Sequence, residues 1–308
     1  MPFKMKFLIT GGAGFLGSHL IEHLEGDITV VDDFSTAKYE LPKKVRVLRE
    51  RIESFKTDEK FDYVIHLAAR PSPDDYMQHP VETALSNSLG TYNALEIARR
   101  SDAVFLYTSS SEVYGHAEVV PTPEDYWGKV NPVGVRSCYD ESKRFSEALI
   151  MAYYREYGLD VRIQRPFNVY GPRLREDGAY GRVVSRFIYQ ALKGEDLTVY
   201  GDGNQTRAFL YVDDWVEATL KMLFTKGLKG EVINVGSDKE TRIIDLANLI
   251  IKLTGSRSKI KFLPPRPDDP PRRAADISKA KRLLNWEPKT PLEEGLRKTI
   301  DWFRGVIR

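Results

Sequence analysis

The chain has 308 residues, 42% of them hydrophobic and 29% charged, which is the composition of an ordinary globular protein long enough for a large core and two domains. A formal net charge of +2 leaves no broad basic surface for nucleic acid, and the single cysteine, Cys138, excludes an internal disulfide and suits a reducing compartment. A strand pattern begins almost at the first residue and no apolar run approaches the ~18 residues of a membrane span, so a cytoplasmic protein with no membrane or nucleic-acid partner is expected.

The first strand pattern, Lys6 to Thr10, runs into Gly11, Gly12, Ala13, Gly14, Phe15, Leu16 and Gly17 and then into a helical pattern through Leu24. Glycines at 11, 14 and 17 permit a tight turn, close backbone approach to a pyrophosphate and close packing of helix on strand. A second strand, Ile28 to Val31, ends in Asp32, where an acidic side chain is placed to hold ribose hydroxyls. Asp32, with Asp33 beside it, would repel the 2′-phosphate of NADP, so NAD is the expected cofactor. Further strands read at Val45 to Leu48, Tyr63 to Leu67, Val104 to Tyr107 and Val161 to Gln164, with helical patterns such as Gly90 to Arg100 between them. Strands alternating with helices imply an α/β fold: a Rossmann-type doubly wound parallel sheet with ligands at the strand C-termini, and a smaller C-terminal substrate-binding domain. The expected division is an NAD-binding domain over residues 1–165, to which 208–236 returns, and a mainly substrate-binding domain over 166–308.

The strand at Val104 leaves the sheet through Ser109, Ser110, Ser111, Glu112, Val113, Tyr114 and Gly115. Three serines alone would be a turn, but these sit where such a sheet places its chemistry. Further on, Tyr139 and Lys143 are four residues apart, which puts them on one face of a helix. An ammonium beside a phenol is expected to draw the phenol toward neutrality and make it a general base. The five histidines show no metal-ligand spacing, so no metal is expected, and His66 reads as structural. Leu246, Leu249, Ile250 and Leu253 read as core, and Cys138 as packing.

The stretch SSSEVYG and the run from Glu124 to Arg144, EDYWGKVNPVGVRSCYDESKR, resemble the extended short-chain dehydrogenase/reductase family, and the likeness covers nearly the whole chain. Within that family they look most like the enzymes that convert UDP-glucuronate to UDP-xylose and CO2. The resemblance implies that Ser110, Glu112, Tyr139 and Lys143 carry catalysis. It also implies that Phe15, Leu16, Ser35, Glu50, Arg51, Leu67, Asn87 and Pro166 join Gly11, Gly14, Asp32 and Asp33 around NAD, with Tyr139 and Lys143 reaching it as well. For a UDP-sugar it implies Arg70, Ser111, Asn168, Arg182, Tyr200, Gln205, Arg207 and Arg273, arginine forks being suited to a diphosphate.

The implied reaction is redox-neutral: oxidation at C4 gives a ketone β to the C6 carboxylate, CO2 leaves, and the ketone is reduced again. Glu112 is expected to be an acid of raised pKa that serves protonation at C5. The alternatives are a nucleotide-sugar 4-epimerase, whose relatives usually lack an acid there, and a 4,6-dehydratase, whose relatives carry Asp where this chain has Ser111. Two departures stand out: Ala69 and Arg70 replace Ser-Pro, and Leu85 replaces a lysine two residues before Asn87. Arg70 is read as the substitute partner for the sugar carboxylate. A homodimer through Thr91 to Ala98 and Phe145 to Tyr157 is also implied.

Overall fold

After Lys6, every residue of the first strand, β1 (Lys6–Thr10), is buried, as a parallel strand covered on both faces requires. The chain continues through α1 (Phe15–Ile21), β2 (Asp27–Val31), β3 (Arg46–Leu48), β4 (Tyr63–His66), α2 (Pro73–Gln78), α3 (Pro80–Ser101) and β5 (Val104–Thr108). A 3₁₀ turn at Ser111–Tyr114 and a long loop lead to α4 (Ser137–Tyr157) and β6 (Val161–Pro166). The second half holds β7 (Val169–Tyr170), α5 (Val183–Lys193), β8 (Leu197–Tyr200), β9 (Thr206–Ala208), β10 (Leu210–Tyr211), α6 (Val212–Phe224), β11 (Val232–Val235) and β12 (Glu240–Arg242). Last come α7 (Ile243–Thr254), β13 (Ile260–Leu263), β14 (Arg272–Arg273), α8 (Ser278–Leu284) and α9 (Leu292–Val306). The structure is a computed structural model and describes residues 4–37, 39–175 and 182–307.

Seven strands form one parallel sheet in the order β11-β6-β5-β4-β1-β2-β3. The chain winds outward from β1 to β3, then returns to the other side of β1 with β4, so the crevice between the β1 and β4 ends is the topological switch point. The register aligns the strand ends: Thr10 pairs with Val31 and His66, His66 with Tyr107, and Thr108 with Gln164. The loops after β1, β2, β4, β5 and β6 therefore open along one edge. The strand β11 adds to this sheet from the second half of the chain by pairing with β6.

One face of the sheet packs on α3 and α4 through Ala94, Leu95, Ile97, Ala98, Ile150 and Tyr153. The other packs on α1 and α6, whose core continues through Trp215 and Met222 into the C-terminal elements. The helix α3 begins ten residues before the expected Gly90, because Pro80 is accommodated at its first turn, and it ends where Asp102 turns left-handed at φ 52°. Its N-terminal half carries Val81, Leu85, Leu89 and Tyr92 outward, all exposed, whereas Thr91, Ala94, Leu95 and Ala98 are buried within the chain itself. Most of the Thr91 to Ala98 stretch expected to meet a second protomer is thus already used within the chain, and the exposed apolar stripe enters it at Tyr92 and continues toward the start of the helix through Leu89, Leu85 and Val81. No helix among the described residues is long and apolar enough to cross a membrane.

Candidate active site

The site begins at the glycine turn after β1. Gly11 has φ +69°, and a Cβ there would stand 2.7 Å from the Ala68 backbone in the loop after β4. A Cβ on Gly17 would stand 2.6 Å from the Gly12 backbone, so α1 can lie against the turn only with glycine at 17. Asp32, at the end of β2, accepts hydrogen bonds from the Ala13 N–H at 3.0 Å and the Phe34 N–H at 2.8 Å. Burial raises its pKa, the two backbone donors oppose that, and Asp33 adds to the rise. The same carboxylate thus shapes the turn and faces the cavity, where Asp33, Ser35, Glu50 and Arg51 join it. This cradle fits a dinucleotide: the glycines leave backbone exposed for a pyrophosphate, and the acidic edge suits unphosphorylated ribose. NAD should bind at least ~10-fold more tightly than NADP, a difference of about 1.4 kcal/mol, in a direct titration of the purified protein. Equal affinities would remove Asp32 from cofactor selection.

The cavity, ≈ 360 Å³, runs from this cradle past Leu67, Pro166 and the end of β5 to α5 and β8. The three serines there have separate tasks. Ser109 donates to Glu147 Oε1 at 2.5 Å and ties the strand end to α4, and Glu147 in turn holds Arg165 of β6 at 2.6 Å. Ser110 Oγ accepts from the Glu112 N–H at 3.2 Å, which starts the 3₁₀ turn, and its hydroxyl lies close enough to the Tyr139 phenol to oppose the rise in that phenol's pKa. Ser111 is buried behind them but still lines the cavity.

The position of α4 is fixed by small polar side chains packed against α3. Asn87 Nδ2 donates to Ser142 Oγ at 2.9 Å, and Thr91 Oγ1 to Ser146 Oγ at 3.1 Å. These contacts aim Tyr139 and Lys143 into the cavity. Lys143 Nζ donates to the Thr108 carbonyl at 3.0 Å, lies 4.7 Å from the Tyr107 ring centre and 5.8 Å from that of Tyr139. Burial lowers its pKa to about 7, against the pull of Glu147. The expected lowering of Tyr139 does not appear: burial pushes the phenol well above its ordinary value, and the groups opposing the rise are Ser110 and Arg182, with Lys143 spending its hydrogen bond on Thr108. His66 is neutral, held between Thr10 at 2.6 Å and Thr91 at 3.0 Å, with burial driving its pKa down to about 3.

Glu112 also departs from expectation. Its carboxylate lies between two guanidiniums, accepting from Arg136 Nη2 at 2.7 Å and from Arg273 Nη1. Burial raises its pKa, but Arg136 and Arg273 outweigh that and bring it to about 2, so Glu112 is an anion and not the acid of raised pKa that its position suggested.

Among the substrate-side residues, Asn168, Arg182, Tyr200, Gln205 and Arg207 line the far end of the cavity. Arg207 is committed to Asp269 at 3.0 Å and Gln205 to the Tyr200 carbonyl at 2.7 Å, while Arg182 stacks over Phe15, 5.7 Å from its ring centre. Arg70 lines the cavity, but its guanidinium is held by Asp75 at 3.1 Å and Glu82 at 3.2 Å. Asn87 and Arg273 do not line this cavity; Asn87 serves the helix pair and Arg273 backs Glu112. Leu85, where a lysine was expected, faces outward on α3 and lies outside the cavity.

Sequence reasoning missed Tyr76, Arg136, Arg186, Arg266 and Asp269, all of which line the cavity. The Tyr76 ring stacks on that of Tyr139, with centres 4.9 Å apart and planes within 10°. Arg186 and Arg266 both sit over Tyr200, at 5.2 and 4.1 Å from its centre. Arg136 stands three residues before Tyr139, one helical turn, and that spacing was the available signal.

A dinucleotide cradle at the switch point, followed by a tyrosine and lysine one turn apart at a sugar-sized cavity, defines a nicotinamide-dependent enzyme of the short-chain type. The chain belongs to the NAD dependent epimerase/dehydratase family, whose model matches residues 7–236. It is 47% identical over 311 residues to a UDP-glucuronic acid decarboxylase 1 of Danio rerio, spanning 97% of this chain and 73% of that protein. Among solved structures, a UDP-glucose 4-epimerase of Thermotoga maritima in complex with UDP-glucose superposes with a TM-score of 0.91 at 34% identity, covering 99% of this chain and all of the other. A UDP-glucuronic acid 4-epimerase of Bacillus cereus, in complex with UDP-glucuronic acid and NAD, superposes at 0.88 with 32% identity, covering 98% of this chain and all of that one.

Proposed function

We propose that the protein is an NAD-dependent UDP-glucuronate decarboxylase that forms UDP-xylose and CO2. The observation that carries this reading is the Glu112 carboxylate, held as an anion between Arg136 and Arg273 in the wall of the cavity that also holds Tyr139. The relatives named as decarboxylases support it. Bound NAD would supply hydride chemistry at C4 of the sugar. As the phenolate, which the Arg182 charge favours against burial, Tyr139 Oη takes the C4 hydroxyl proton, and the neighbouring Ser110 hydroxyl holds the oxygen as it becomes a carbonyl. The ketone makes the C6 carboxylate part of a β-keto acid, whose C5–C6 bond breaks with the electron pair delocalised toward the C4 oxygen. The anionic Glu112 disfavours the substrate carboxylate nearby and favours neutral CO2.

Both arms of Arg70 are held by Asp75 and Glu82, which leaves it unsuited to the sugar carboxylate; Arg182, which has no carboxylate partner among the described residues, is the better candidate for an anionic group of the substrate. A second reading, 4-epimerisation, is favoured by the TM-scores of 0.91 and 0.88 to epimerases. Incubation with UDP-glucuronate and NAD separates the two: the decarboxylase releases one CO2 per UDP-xylose with no net reduction of NAD. A six-carbon epimer without CO2 would establish the second reading.

The single cysteine suits a reducing compartment, and we place the protein in the cytoplasm on that ground. We also infer a homodimer. Val81, Leu85, Leu89 and Tyr92 on α3 form one outward stripe, and Phe145 and Tyr157 on the adjoining α4 extend it, a patch of the kind that monomers rarely leave uncovered. Light scattering at micromolar concentration should give twice the mass of the chain, and Leu89→Asp should shift it toward monomer. A wild-type monomer would overturn the inference.

A further inference from the structure

Three buried polar atoms in the neighbourhood of Glu112 have no hydrogen-bond partner among the described residues: Tyr76 Oη, Arg136 Nε and Asp140 Oδ1. Each such atom costs about 1–3 kcal/mol if nothing meets it, so their concentration here marks a place built for a polar guest. Space adjoins them. A second cavity, ≈ 20 Å³, is lined on its inner side by Glu112, Arg136, Asp140 and Arg273 and opens toward solvent past the exposed His116 and Lys129. A water needs roughly 10–15 Å³ and two to four polar partners, and both are present. Glu112 and Arg136 line this cavity and the large one alike and form the partition between them.

Loss of CO2 from a carboxylate consumes one proton, which ends on C5; epimerisation consumes none. A decarboxylase therefore needs a proton supply that its epimerising relatives do not. The geometry points to Asp140 as the inner station of a proton path that enters past His116 and Lys129, crosses the small cavity and reaches the sugar beside Glu112. This inference rests on the decarboxylase reading. Asp140 does not line the substrate cavity, so it positions and supplies a proton through intervening oxygens without touching the sugar.

The bonds balance. The C5–C6 bond breaks, C6 leaves as CO2, and the electron pair stays as an enolate over C5, C4 and the C4 oxygen. A C5–H bond forms as an O–H bond of a water held at Glu112 breaks. That oxygen regains its proton from the Asp140 carboxyl, and Asp140 regains one from solvent. The Tyr76 hydroxyl, with its ring in the substrate cavity and its proton retained because burial raises its pKa, is a further oxygen able to pass a proton along.

The electrostatics agree with the placement. Burial and then the charge of Glu112 raise Asp140 to about 7, against Arg136 and Arg273 and with a further upward push from Glu141, while Glu112 is held at about 2. Lys129, His116 and Asp268 are the other charged or titratable groups on the cavity wall. Two neighbouring carboxylates pushed apart in this way assign the proton to one and the charge to the other.

Rapid-quench single turnovers of the NAD-loaded protein with UDP-glucuronate, following CO2 and UDP-xylose separately, test the path. Asp140→Asn should release CO2 in the first turnover within about threefold of wild type but form UDP-xylose ~100-fold more slowly, and Asp140→Glu should recover at least a tenth of the lost rate. In the wild type, the UDP-xylose phase should weaken as pH rises through about 7 while the CO2 phase does not, because a donor works only below its pKa. That measurement stands even where the variants fold poorly. Equal falls in both phases, no change in either, or a UDP-xylose phase independent of pH would overturn the path. A wild type that releases no CO2 overturns the decarboxylase reading first and the path with it.

Discussion

Replacing Tyr139 with phenylalanine should lower the rate of UDP-xylose formation by roughly three orders of magnitude, in the range typical for loss of a positioned acid–base group. The ring is buried and stacked on Tyr76 at 4.9 Å, an arrangement worth about 0.5–1.5 kcal/mol that phenylalanine retains. Only Oη, the group beside the Ser110 hydroxyl, is lost. The variant should therefore keep the wild-type melting temperature within a few degrees, bind NAD unchanged, and show a KM for UDP-glucuronate within about threefold, the whole loss falling on kcat. Ser110→Ala removes a weaker partner of the same oxygen and should cost less, ~10–100-fold. A Tyr139→Phe variant within tenfold of wild type would mean that another group takes the C4 proton.

Much of this arrangement could be read from residue types and spacing, and the reasons are specific. Lys6 to Thr10, Gly11 and Asp32 are local signals: a short apolar run, a residue that must adopt φ +69°, and a carboxylate at the next strand end. The Tyr139 and Lys143 spacing is likewise contained in one helical turn. What failed were statements about charge and about faces. Glu112 stands 24 residues from Arg136 and 161 from Arg273, so no local window shows that it is clamped as an anion. Lys143 was expected to polarise the phenol, but its proton is directed at the Thr108 carbonyl, a backbone atom whose direction depends on how β5 ends. Leu85 stands where the resemblance places a lysine, two residues before Asn87, and so reads as a lost ligand; on a helix that spacing turns it about 200° away from Asn87, onto the outer face. Tyr76 and Asp269 come from loops and a short helix brought to the cavity by tertiary packing alone.

Glu112→Gln should separate binding from decarboxylation. In the wild type the carboxylate offsets one of the two positive charges of Arg136 and Arg273, so the C6 carboxylate of the sugar meets a partition of much reduced positive charge. Glutamine keeps the shape and one acceptor oxygen but removes the negative charge, leaving the Arg136 guanidinium in the cavity wall, with the charge of Arg273 behind it, to stabilise the substrate carboxylate in its ground state. Stabilising the carboxylate raises the barrier to its departure as CO2, so kcat for CO2 release should fall ~100–1000-fold while KM stays level or falls. Loss of one partner from a buried charge cluster also destabilises the fold, by up to about 3–5 kcal/mol, which glutamine should soften by retaining a hydrogen bond. A competing UDP analogue should bind the variant as it binds the wild type, and the ketosugar formed by C4 oxidation should accumulate, because Tyr139 and Ser110 remain in place. CO2 release within tenfold of wild type would remove Glu112 from the reaction. A variant that no longer binds UDP at all would make the Arg136–Glu112–Arg273 cluster a structural clamp between the sheet and the C-terminal strand β14, with the chemistry left to Tyr139, Ser110 and Lys143.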